Sequence, residues 1–202
     1  MNSIISHRGI FDTKETSIES IKKCVQNDIG IEIDLRIKDN LLYISHDIEK
    51  PSLFFDEVCS VLIKSKSQNA FHIKEYDAID PTIGMLKKYG IKNCFLFTTD
   101  DYNLKENDTV GSASYLNSPQ DISNKILWCD ESVSKWFIPE VISNLKHNNN
   151  NLIAISEEIL TKCSVNIAKL YWNSLNKMGF DGICTNYPLE CKSFFVNMDK
   201  NN

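Results

Sequence analysis

Eight short apolar runs, beginning near residues 3, 30, 70, 93, 109, 126, 152 and 180, alternate with helical patterns along almost the whole chain. This alternation is the strongest constraint on the fold. Strands separated by helices must cross over, and crossovers build parallel sheets. One apolar run, residues 41 to 46, follows its predecessor after only the turn "KDN", so it reads as the return arm of a hairpin and not as a further crossover strand. Eight parallel strands are the number that closes a (β/α)8 barrel of TIM type, at the short end of its length range. An open doubly wound sheet is the alternative, but no G-x-G-x-x-G or P-loop lies at the first strand–helix turn.

Local signals agree with this reading. "SIIS" (3 to 6) is a strand, and "SIESIKKCVQN" (17 to 27) is a helix with Ile18, Ile21, Cys24 and Val25 on one face and Thr16 or Ser17 as its cap. "GIEIDLRI" (30 to 37) alternates with period two. "DPTIGMLKKYG" (80 to 90) predicts a helix capped by Asp80, with Pro81 at its first position and Gly90 at its end. The chain has 202 residues and neither repeats nor a linker, so a single domain over 1–202 is expected.

Composition excludes several classes. A formal net charge of -5 argues against a nucleic-acid partner. No apolar run approaches the roughly 20 residues of a membrane span, so stable membrane insertion is not expected. Seven cysteines occur without a C-x-x-C pair, which favours reduced thiols in a cytoplasmic protein over structural zinc.

Several polar residues fall where a barrel keeps its chemistry, at the C-terminal ends of strands. His7 and Arg8 end the first strand. Glu32 and Asp34 lie two apart in the second and share a face. Two buried carboxylates repel unless a cation lies between them, and hard divalent cations take carboxylate oxygens. The hairpin returns His46 and Asp47 toward that pair. His72 and Lys74 share a face of the third crossover strand, with Phe71 and Ile73 turned outward. Each alone has a plain structural explanation. Together they supply acid–base groups, cation ligands and positive charge, which suits attack on a phosphoryl centre. Trp128 and Asp130 share a face and either shape a leaving-group pocket or fill the core.

At these residues the chain resembles the glycerophosphodiester phosphodiesterase family, related in fold to phosphatidylinositol-specific phospholipase C. The "HRG" at 7 to 9 matches its opening motif, and "KETS" (14 to 17) resembles its E-N-T segment, with Glu15 kept and Thr16 where Asn is usual. "EIDLRIKDNLLYISHD" (32 to 47) follows its E-x-D, K-D-G and H-D pattern, with Asn40 for Gly. "FHIK" (71 to 74) resembles its I-E-I-K strand. "GFDGICTNYP" (179 to 188) resembles its closing motif, with Asn186 for Asp.

The resemblance implies a phosphoric diester hydrolase acting on a small glycerol- or polyol-linked phosphodiester, with a place in lipid metabolism. It makes His7 and His46 the general acid and base. It assigns Arg8 and Lys74 to the phosphate, and Glu32 and Asp34 to a divalent metal, Mg²⁺, Ca²⁺ or Mn²⁺. The third metal carboxylate of the family falls on His72, an imidazole that brings Zn²⁺ within range and predicts affinity falling as pH drops through about 6 to 7. His72 and Asn186 are the departures that favour the alternative, a non-catalytic barrel binding a phosphorylated ligand.

Overall fold

A computed structural model of the protein describes residues 1–10, 16–47, 53–100, 104, 110–119 and 125–200; Glu15 of the "KETS" segment lies outside them. The described elements are β1 (Ser3–His7), α1 (Ile18–Gln26), β2 (Gly30–Lys38), β3 (Leu41–Ile44), α2 (Phe55–Leu62), β4 (Asn69–Ile73), α3 (Ile79–Tyr89), β5 (Cys94–Phe97), β6 (Gly111–Leu116), β7 (Ile126–Cys129), α4 (Pro139–His147), β8 (Asn151–Ile155), α5 (Glu157–Thr161), α6 (Val165–Met178), β9 (Gly182–Thr185) and α7 (Pro188–Lys200). The strands run in the order β1-β9-β8-β7-β6-β5-β4-β2-β3, and β1 also pairs with β2. Leaving out the hairpin strand β3, this is a closed eight-stranded parallel barrel with helices between its strands, as the alternation predicts. The chain divides into two compact units, one of residues 8–112 and one of residues 1–7 with 113–202.

In the 8–112 unit, β2 is the organising strand. Ile31, Ile33 and Leu35 are fully buried on one face, and Glu32 and Asp34 alternate with them. β4 lies parallel beside it, with Asp34 opposite His72 and Leu35 opposite Ile73. Phe71 meets Phe55 of α2 edge to face, ring centroids 5.3 Å apart, so the outward residues of β4 bury against a helix as expected. β2 then outruns β4: residues 36–38 pair with β3, antiparallel, across a turn at Asp39 and Asn40, both with positive φ. This is the hairpin arm.

Two helix starts differ in how they are made. Ser17 caps α1 in a reciprocal box with Ser20, as one of the two expected caps. Asp80 does not cap α3. A 3-10 turn at Tyr76–Ala78 runs directly into that helix, moving its start to Ile79 with Ala78 at the cap position. Gly90 does end it, at φ 68.

The other unit packs β6 to β9 under α4, α6 and α7, with Leu127, Cys129, Leu152, Ala154, Trp172, Ile183 and Phe195 in one apolar cluster. α7 was not expected from the sequence. β1 lies parallel to β9 at very close approach: a Cβ on Gly182 would come within 3.0 Å of Ser3 Cβ and 3.1 Å of Ser3 O. All seven cysteines are free thiols; six are buried and Cys163 is half-buried. Burial pushes the Cys59 and Cys94 thiols up to about 12, and raises Cys129 and Cys191 as well. No described helix is long and apolar enough to cross a membrane.

Candidate functional site

The site begins where β1 ends. Arg8 adopts a left-handed backbone, φ 60, which a non-glycine residue takes up only when its surroundings impose it. Here Thr16 imposes it. The Thr16 N–H and hydroxyl both donate to the Arg8 carbonyl, at 3.0 and 3.1 Å. Gly9 follows at φ 105, where a Cβ would lie 2.6 Å from Ser20 Oγ. The sharp turn after His7 thus needs glycine for two reasons, and it aims the Arg8 guanidinium back over β2.

There Arg8 meets Asp34, Nε to Oδ2 at 3.4 Å. The other carboxylate oxygen of Asp34 faces His72 Nδ1 at 3.0 Å and Lys74 Nζ at 3.2 Å. Burial alone would push the Asp34 carboxyl up, but the His72 hydrogen bond, with Lys74 and Arg8, outweighs it and holds the group well below the usual carboxylate range. An ionised carboxylate only accepts, so His72 donates from Nδ1, and its Nε2 takes the Thr99 hydroxyl at 3.3 Å. Burial lowers the His72 pKa despite Asp34, so the ring is neutral; it stacks on Phe97 at 4.5 Å.

Glu32 is the opposite case. It is 4% exposed, and its Oε2 has no hydrogen-bond partner among the described residues. Desolvation first, then the neighbouring Asp34, raises its pKa well above the ordinary glutamate value. A buried carboxylate with an unpartnered oxygen is costly, and a cation held against it would offset that cost. Atoms of Glu32, Asp34 and His72 all lie within 4.8 Å of one another. Two carboxylates and an imidazole suit a divalent cation, so the donor set fits. His72 would ligate through a nitrogen that first gives up its hydrogen bond or its proton.

His46 stands after the arm. Ser45 N donates to Asp34 O at 3.3 Å, and the His46 carbonyl accepts from Arg36 Nη2 at 3.0 Å, so the segment returns along β2 as expected. The ring itself is half exposed and pairs through Nδ1 with Asp47 Oδ1 at 2.8 Å. In the other unit, His7 Nδ1 lies 2.9 Å from Asn186 Oδ1. Asn186 is held in turn by buried Glu158, which accepts from the Asn186 N–H at 3.1 Å and from the hydroxyls of Thr185 and Ser156. Trp128 is 2% exposed, and the carboxylate of Asp130 on the same face accepts the Tyr115 hydroxyl at 2.6 Å.

Arg8, Glu32, Asp34, His72 and Lys74, all expected from the sequence, come together in one unit. Arg36, Glu75 and Glu158 are site-supporting residues that the sequence did not single out. Glu75 accepts Arg36 Nη1 at 2.8 Å through one oxygen and the Ile37 N–H at 3.0 Å through the other.

No family model matches the sequence, and no curated protein matches it. Solved structures do match. A glycerophosphodiester phosphodiesterase from Parabacteroides distasonis shares 15% identity over 98% of each chain, with a TM-score of 0.75. One from Agrobacterium tumefaciens shares 14% over 97% of this chain and 100% of its own, with a TM-score of 0.73. The malate synthase of Haloferax volcanii is more distant, at 8% identity over 97% of this chain and 74% of its own, with a TM-score of 0.53. At these identities the likeness is one of fold.

Proposed function

We propose that this chain is a metal-dependent phosphodiester hydrolase of one domain, cleaving a small glycerol- or polyol-linked phosphodiester. One observation carries the reading: two fixed cations, Arg8 and Lys74, converge on Asp34 in a buried carboxylate pair whose other member, Glu32, keeps one oxygen without a hydrogen bond among the described residues. A purely structural ion cluster gains nothing from leaving Glu32 Oε2 buried without a hydrogen bond. The likeness in fold to glycerophosphodiester phosphodiesterases supports the substrate class.

Glu32, Asp34 and His72 would hold the cation, which when bound supplies Lewis-acid stabilisation of phosphoryl charge. Arg8 and Lys74 bind the phosphate oxygens, Arg8 as a planar donor and Lys74 as a point charge. His7 and His46 move the protons. The amide oxygen of Asn186 accepts only from a protonated Nδ1, so His7 exchanges its proton at Nε2. The Asp47 carboxylate sets His46 in the same way. One imidazole takes the proton of the attacking oxygen, and the other protonates the departing alkoxide; attack by water leaves a phosphomonoester and an alcohol, and attack by a substrate hydroxyl leaves a cyclic phosphate and an alcohol, the ring then opened by water. Free thiols throughout support a cytoplasmic location.

The test is a screen of phosphodiesters against Mg²⁺, Ca²⁺, Mn²⁺ and Zn²⁺. Metal-dependent release of a free alcohol is expected. Tight metal and phosphate binding with no turnover of any diester would refute hydrolysis.

A further inference from the structure

The geometry points to Arg36 and Glu75 as a clamp that positions His46; it rests on the reading of His46 as a proton-transfer group. Three observations carry it. The Arg36 guanidinium bridges two elements, donating from Nη1 to Glu75 Oε1 at 2.8 Å and from Nη2 to the His46 carbonyl at 3.0 Å. Glu75 uses its second oxygen on the main chain of the arm, accepting from Ile37 N at 3.0 Å. That bond stands where the β2–β4 ladder has run out, since β4 ends at Ile73 and β2 continues to Lys38. A side chain thus replaces the missing strand, and the arm is tied to β4 at its root and, through Arg36, at its far end.

Position along β4 gives the arrangement its meaning. His72, Lys74 and Glu75 follow one another within four residues. The first two face Asp34, and the third grips the arm. One strand end therefore sets both the phosphate-binding side chains and the segment that carries His46. Among the described residues the His46 ring has only Asp47 as a hydrogen-bond partner, and it is half exposed, so its placement depends on its main chain. Arg36 holds that main chain at the histidine itself. A guanidinium suits the task because its fixed fork serves two acceptors at once; a lysine ammonium in the same place lacks that preset geometry.

The test uses Arg36→Gln, Glu75→Gln and Arg36→Lys, each alone and combined with His46→Ala. Amide hydrogen exchange is read first, because it needs no activity. Arg36→Gln should speed exchange over residues 43–47 by about tenfold or more, with β5 unchanged. Unchanged exchange in both Arg36→Gln and Glu75→Gln overturns the clamp. Steady-state kinetics come second. Arg36→Gln should lower kcat by roughly 10²-fold with KM within about threefold, because misplacing a proton-transfer group by an ångström is that costly. Arg36→Lys should fall between. In the His46→Ala background the Arg36 effect should vanish. A full Arg36 effect in that background overturns positioning through His46. A His46→Ala enzyme with undiminished turnover instead refutes the catalytic reading, and the exchange data still decide the clamp. If Arg36→Gln fails to fold, Glu75→Gln carries the same comparison.

Discussion

Glu32 and Asp34 are two residues apart on one strand face, yet their amide isosteres should move stability in opposite directions. The comparison is Glu32→Gln against Asp34→Asn in protein freed of metal by chelation. Asp34 sits between Arg8 at 3.4 Å, His72 at 3.0 Å and Lys74 at 3.2 Å. Asn at 34 leaves two partly buried cations facing each other without their anion, which costs about 3 kcal/mol, the low end for a broken buried pair because Glu32 can ionise in partial compensation. The Asp34 pKa is depressed on folding, so this advantage of wild type is complete above pH 4 or so and fades as pH falls toward the folded value. Glu32 has the reverse sign. Its folded pKa is raised, so its contribution is complete below about pH 4.3 and is lost as pH rises toward the folded value. Gln cannot ionise. The gap in favour of Glu32→Gln should therefore open by about 1.4 kcal/mol per pH unit across that window. Urea unfolding from pH 4 to pH 8 measures both. Two variants that shift stability the same way at neutral pH would refute the account of one satisfied and one orphaned carboxylate.

His7→Ala and His46→Ala should each lower turnover by roughly 10²-fold while circular dichroism and urea midpoints stay near wild type; near-normal turnover in either removes that residue from the mechanism. His72→Glu should restore a third carboxylate and shift preference toward Mg²⁺ or Ca²⁺, measured by metal titration at two pH values. Because burial lowers the His72 pKa, the loss of metal affinity in wild type should come at lower pH than an ordinary histidine gives, and an identical metal order in both proteins would show that His72 is not a ligand.

What the sequence discloses and what it hides follow a physical division. Glu32, Asp34, His72 and Lys74 were legible because a period of two places alternate residues on one face, whatever their partners turn out to be. Arg36 and Glu75 were not. Their meeting depends on β2 outrunning β4, and strand overhang is not encoded in either strand alone. Glu158 was hidden for a related reason. It reads as an ordinary acidic residue in a first helical turn, and only the fold carries the Thr185 hydroxyl and the Asn186 N–H to it. α7 carried a signal: Cys191, Phe194, Phe195 and Met198 recur at helical spacing after Pro188, a residue suited to a first turn. The Asp80 cap failed because the 3-10 turn before it already supplies a helical entry.

The distribution of thiols has a practical consequence for watching this molecule work. Six sulfhydryls are inside and several are held firmly in the protonated form, whereas Cys163 stands half open between α5 and α6, its carbonyl accepting the Tyr187 hydroxyl at 3.3 Å. Thiolate chemistry needs both deprotonation and access, so a maleimide dye should couple to the native fold at one place without any cysteine being removed. Unfolding would release the remaining six. Dye stoichiometry therefore counts folded molecules directly, and a single attached fluorophore beside Tyr187, the residue after Asn186, offers an optical report on ligand binding in an otherwise unaltered chain.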